Sequence, residues 1–119
     1  MENGNQVQFL VELNVFTGKA EAFKELVQEA INIALAKSKV IAYRFYFDND
    51  GSTCYLLEQF PDSDALLPHI ASLQPIVQRV LAVSRVTKFM VFGDLDPEAK
   101  NALTEFGAKI FGYWNGFIR

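Results

Sequence analysis

The sequence predicts an α+β fold in which one antiparallel sheet carries helices on one face, and three observations point there. Residues 7–15, VQFLVELNV, alternate between an apolar and a mixed face with the period of a strand. Residues 19–37 instead repeat their apolar side chains at helical spacing. The segments that follow read strand, strand, helix, strand, which completes the split β-α-β order of a ferredoxin-like fold. At 119 residues, half of them hydrophobic and 13% aromatic, the chain can bury a core as a single domain over 1–119.

Each element has its own signal. In the first strand Val7, Phe9, Val11, Leu13 and Val15 share one face, while Gln8, Leu10, Glu12 and Asn14 take the other. Thr17-Gly18 break it, with Thr17 as a candidate cap for the first helix. That helix sets Phe23, Leu26, Val27, Ala30, Ile31 and Ala34 against Lys19, Glu21, Lys24, Gln28 and Glu29. The second strand is expected from Ile41 to Asp48 and the third from Thr53 to Phe60, joined by the turn sequence DNDG with Gly51 suited to positive φ. Pro61-Asp62-Ser63 stop the third strand and supply caps for a helix from about Asp64. Pro68 predicts a kink or restart, with a second helical piece over about 75–82. Arg85 to Phe92 form the fourth strand. Asp96-Pro97 open a last helix, which Gly107 ends. Residues 94–119 thus form a C-terminal helix and tail extension, and Tyr113 and Trp114 in its aromatic end KIFGYWNGFIR are expected to seal a dimer edge or a pocket mouth.

Composition excludes several roles. The net charge is −3 and Lys and Arg are scattered, so no basic stripe marks a nucleic-acid surface. No apolar run is expected to reach the length of a membrane span, and the start MENGN lacks the features of a signal peptide. One Cys, Cys54, permits no internal disulfide and fits a cytoplasmic protein. One His with one Cys cannot build a nitrogen-sulfur zinc site; a carboxylate site for a hard cation stays open, but no calcium-loop spacing occurs, and no metal is expected. The face of the sheet away from the helices carries Leu10 and one member of the Phe45–Tyr46 pair. An apolar outer face has to be covered, which implies a homodimer packed sheet to sheet as a dimeric α+β barrel.

The stretch AYRFYFDNDGSTCYLLEQFPDSDALLPHI holds a tyrosine-bearing strand, a turn, a glutamate-bearing strand and a helix with one histidine. In this it resembles the antibiotic-biosynthesis-monooxygenase-like superfamily of dimeric α/β-barrel proteins, over about residues 7–92. The tail VFGDLDPEAKNALTEFGAKIFGYWNGFIR resembles the extended end of a subset of them. The resemblance implies a small cytoplasmic homodimer whose relatives include cofactor-independent oxygenases of quinols, haem-degrading proteins and isomerases of small hydroxy-ketones. It assigns Tyr43, Glu58 and His69 to the family's strand tyrosine, strand glutamate and helix histidine. Phe60 stands where many relatives have Trp, and Ser38-Lys39-Val40 replaces a Pro-Gly turn. Haem is disfavoured, since Ile76-Val77-Gln78-Arg79 and Gln59-Phe60 occupy the regions where the haem-degrading branch has a histidine farther along the helix and a Trp on the third strand.

The candidate residues each have two readings. His69 is a general base or donor working near neutrality, or a histidine on a helix surface or inside a capped interior. Glu58 shares a face with Leu56 and Phe60. If the loop is Asn49-Asp50-Gly51, Glu58 lies diagonal to Arg44 and forms an ion pair with it, whereas a two-residue Asp50-Gly51 turn shifts that register. Tyr43, Tyr46, Tyr55 and Phe60 line an aromatic pocket or simply fill the core. The expected catalytic residues are His69 and Tyr43, in a pocket formed by Arg44, Glu58, Phe60, Tyr46 and Phe89. The expected function is cofactor-independent monooxygenation of a small quinol or other electron-rich aromatic. A non-catalytic ligand-binding or stress-related dimer and a hydroxy-ketone isomerase are the alternatives.

Overall fold

The computed structural model describes residues 6–119. Strand β1 (Val7–Val15) leads into helix α1 (Ala20–Lys37), then β2 (Ala42–Phe47) and β3 (Thr53–Phe60) form a hairpin. A short 3-10 turn, Ser63–Ala65, opens helix α2 (Leu66–Val83), which passes directly into β4 (Ser84–Phe92). Helix α3 (Pro97–Glu105) and strand β5 (Lys109–Phe111) complete the chain. The sheet order is β2-β3-β1-β4-β5. β1 runs antiparallel to both β3 and β4, and β5 is parallel to β4. This is the ferredoxin-like split β-α-β arrangement with a fifth strand added at one edge.

The alternation of β1 decides which face is core. Val7, Phe9, Val11 and Leu13 are buried and meet Phe60, Glu58, Leu56 and Cys54 of β3. Helices α1 and α2 pack on each other over this face, with Leu26, Ala30, Leu73 and Ile76 forming a cluster between them. Burying a side chain such as Phe23 or Leu66, both fully enclosed, stabilises the fold by about 1.5–3 kcal/mol. The opposite face leaves Tyr46, Leu57, Phe92 and Phe111 exposed.

Several sequence expectations are corrected. Thr17 does not cap α1, whose N-cap is Lys19 with no side-chain bond. The helix over 66–83 is continuous, with no restart at either proline. Pro68 lies in its first turn, where the missing N–H has no partner to lose, and Pro75 is carried inside it by the burial of Leu73 and Ile76. The turn and helix together, Ser63–Val83, reach 21 residues at a mean hydropathy of 1.2, the length and apolarity of a membrane span. Leu66, Leu73 and Ile76 of this stretch are buried in the core together with His69, while Val77 and Leu81 remain exposed. Asp62 and Asp96 do cap their helices, accepting from the Ala65 and Ala99 amides.

The hairpin loop sets the register that the site depends on. Asp48 accepts the Thr53 amide at 3.1 Å and Asp50 accepts the Ser52 amide at 2.9 Å, so four residues, Asn49 to Ser52, lie between the paired ends. Gly51 supplies the positive φ of +75°. Tyr43 therefore pairs with Glu58, and Arg44 with Leu57. A three-residue loop would have slipped the register by one and exchanged the faces.

Candidate functional site

Three segments converge on His69. The first turns of α2 carry the imidazole inward, where it is 4% exposed. Its Nε2 lies 2.8 Å from Glu58 Oε1 on β3. Its Nδ1 lies 2.7 Å from the Ser38 hydroxyl at the end of α1. Ser38 Oγ already accepts the Val40 amide at 3.0 Å, which leaves the hydroxyl proton free to point at Nδ1. Ser38 thus favours the tautomer whose proton is on Nε2, on the Glu58 side of the ring but out of line with Oε1, and it can accept instead when the ring is a cation. Two aromatic rings fix the plane of the imidazole. Phe60 stands edge-on at 5.0 Å between centroids and Tyr43 at 5.6 Å.

Glu58 is only 6% exposed. Although Oε1 is close to His69, the contact lacks the alignment of a hydrogen bond, and the atom has no hydrogen-bond donor. Burial without a donor is costly for a carboxylate, so the surroundings of this oxygen matter. Glu58 lines a cavity of about 240 Å³ between the sheet and the helices. Phe9, Val11, Leu56 and Phe89 form the sheet wall, Ile70, Leu73 and Ile76 the α2 wall, and Leu103 with Phe106 close it from the C-terminal extension. Tyr43, Glu58, His69 and Gln74 are the polar side chains among them. The walls disfavour charge. Burial, helped by the Glu58 carboxylate, pushes the Tyr43 hydroxyl well above the ordinary phenol range, so it stays a proton donor. Among the described residues no three His, Cys, Asp or Glu side chains gather as a metal site would require.

The structure sorts the expected site residues. Tyr43, Glu58, His69 and Phe89 line one cavity. Phe60 is fully buried on the same face but sits behind the imidazole, packed between it and Phe9. Arg44 and Tyr46 do not belong. The observed register puts Arg44 on the opposite, exposed face, where its guanidinium lies 5.8 Å from the Tyr46 ring. The expected Arg44–Glu58 ion pair is therefore absent, and His69 takes the arginine's place. Trp114 is 90% exposed and closes neither the cavity nor an edge of its own chain. Ser38 was read from the sequence only as part of the turn before β2 and not as a site residue, since a serine after a helix has many uses. Leu103 and Phe106 read only as core and tail positions of a helix.

No protein-family model matches this sequence, and no curated protein matches it. Solved structures do match in fold. MupZ from Pseudomonas fluorescens superposes with a TM-score of 0.82 at 17% identity, over 97% of this chain and 95% of its own. SnoaB, a cofactor-independent oxygenase from Streptomyces nogalater, gives 0.67 at 15% identity, over 77% of this chain and 95% of its own. A proposed antibiotic biosynthesis monooxygenase from Nitrosomonas europaea gives 0.67 at 20% identity, over 82% of this chain and 97% of its own.

Proposed function

On the scaffold that this chain shares with antibiotic biosynthesis monooxygenases, we propose that it is a cofactor-independent monooxygenase of a small quinol or other electron-rich hydroxyarene. The observation that carries this reading is the Glu58–His69 pair at one wall of an apolar cavity, with Glu58 Oε1 lacking a donor. A substrate hydroxyl placed there donates to Oε1, and the pair takes its proton. Ser38 holds the far side of the imidazole, and Tyr43 remains available to donate to the aryl oxyanion. The anion passes an electron to O2, and recombination forms a new C–O bond and a hydroperoxide at a ring carbon that bears hydrogen. Loss of that hydrogen as a proton to the base, with cleavage of the O–O bond, releases water and leaves the quinone. One oxygen atom enters the product and the other leaves as water, so no external reductant is consumed. The dry walls protect the anion from premature protonation.

The test is oxygen uptake by the purified protein over dihydroxynaphthalenes and other quinols, comparing wild type with His69→Ala. Uptake above the no-protein rate that falls by about 10²–10⁴ in the variant supports the reading. No uptake over the panel overturns it. A second reading rests on the 2.8 Å approach of Glu58 and His69. Two proton carriers that close can remove a proton from one carbon and return it to the next, as in a hydroxy-ketone isomerase. Solvent deuterium incorporation into such a ketone without oxygen consumption marks that case.

The working unit in this proposal is a homodimer formed by the open sheet face. Tyr46, Leu57, Phe92 and Phe111 support it, as exposed apolar side chains on one face of the sheet. Sedimentation should give twice the chain mass, and Leu57→Lys should reduce it to one. A wild-type monomer would refute the dimer.

A further inference from the structure

The cavity's chemistry narrows its ligand further, resting on the proposed use of the Glu58–His69 pair. Among the described residues that line it there is no Lys or Arg, and the one charged side-chain type at its wall is the Glu58 carboxylate beside His69. An anionic ligand would meet no lysine or arginine and would approach a carboxylate with poor screening. A hydroxyl, in contrast, is the donor that Glu58 Oε1 lacks. The opening has a different character from the inner wall. Val77 and Leu81 of α2, Val86 of β4 and Phe106 just beyond α3 all line the cavity while remaining substantially exposed. These four make an apolar rim, which the buried Leu103 of α3 joins to the interior.

We infer that the site selects an uncharged hydroxylated hydrophobe longer than the cavity, its hydroxyl on Glu58 and its apolar body crossing the rim over Phe106. The C-terminal extension then determines specificity. SnoaB matches 95% of its own length to only 77% of this chain, so this chain carries additional sequence relative to that oxygenase. Here 94–119 supplies Phe106 and Leu103 to the wall.

The test measures binding alone, by calorimetry under nitrogen, so it stands or falls separately from turnover. The probes are 2-naphthol, its methyl ether, 3-hydroxy-2-naphthoate, and 6-alkyl-2-naphthols of increasing chain length. The ether should bind at least tenfold more weakly than 2-naphthol, since it cannot donate to Glu58. The hydroxynaphthoate should bind at least a hundredfold more weakly, and Glu58→Gln should narrow that gap by removing the repelling charge. Each added methylene that reaches the rim should tighten binding by about two- to fourfold. In Phe106→Ala, an exposed position whose truncation leaves the core intact, that gain per methylene should shrink towards one. Equal affinity for the hydroxynaphthoate and 2-naphthol overturns the selection for neutral ligands. A chain-length gain that is absent in wild type, or unchanged in Phe106→Ala, overturns the rim assignment.

Discussion

Glu12 and Glu58 are the same residue type on neighbouring strands, yet they face opposite sides of the sheet and live in opposite chemistry. Glu12, on the open face, accepts from Thr87 Oγ1 at 2.6 Å and from the Tyr55 hydroxyl across the β1–β3 ladder. Those donors hold its carboxyl below the ordinary carboxylate range, with Lys88 adding to the effect. Glu58, on the helix face, is buried beside an imidazole and keeps one oxygen without a donor. A carboxylate with its donors in place is finished as structure. One buried without them stores an unmet interaction, at a cost of about 1–3 kcal/mol or more, that a ligand can supply.

The double variant Glu58→Leu/His69→Phe puts the largest strain on this contrast. With neither partner left buried alone in an apolar cavity, it should hold or raise its urea midpoint while activity on a quinol falls by about 10²–10⁴. A midpoint that drops sharply would make Glu58 a structural partner of His69 and erase the difference from Glu12. Cys54 probes the same buried face without chemistry of its own. Burial pushes its thiol up to about 11, so modification by a thiol reagent at pH 8 should run about a hundredfold slower than for an ordinary thiol. Fast labelling in the folded protein would mean that the helix face is wetter than its packing shows. Ser38→Ala should cost about tenfold in rate and move the pH–rate profile, because the tautomer of His69 loses its anchor, while Ser38→Thr should restore the profile. A uniform fall in rate with an unmoved profile would reduce Ser38 to a packing role.

Glu12→Gln should give the smallest effect. Its folded carboxyl lies below the ordinary glutamate value of about 4.5, so its contribution to stability is complete above about that pH and is lost as the pH falls through the lowered folded value. The variant should therefore have a slightly lower urea midpoint than wild type at pH 7, the two converging in acid, with quinol activity unchanged. Loss of activity in this variant would show that the two faces are coupled.

Much of the fold was legible because periodicity is local. The bounds of β1 and β3 follow from alternation and from Pro61, and α3 is announced by Asp96-Pro97 and closed by Gly107 with φ at +88°. The site was half legible for a reason equally physical. That His69 and Glu58 were candidates could be read from residue type, and the resemblance added Tyr43. What joined them was the loop between β2 and β3, where a one-residue difference exchanges Arg44 for Tyr43 beside Glu58. Ser38 reaches His69 across 31 positions of sequence, a contact that only the packing of α1 on α2 creates. β5 was hidden because three residues are too few to show a period.

That short strand has a consequence for handling the protein. Without it the Phe89–Phe92 end of β4 would be an open edge, its backbone donors and acceptors free along an apolar run. Such an edge recruits strands from other chains. β5 occupies the β4 positions Met90 to Phe92 and presents Lys109 at the new border. Trimming the chain after Gly93 would take away more than the wall of the cavity. It would uncover a template for intermolecular strand addition, so shortened forms should precipitate before they unfold.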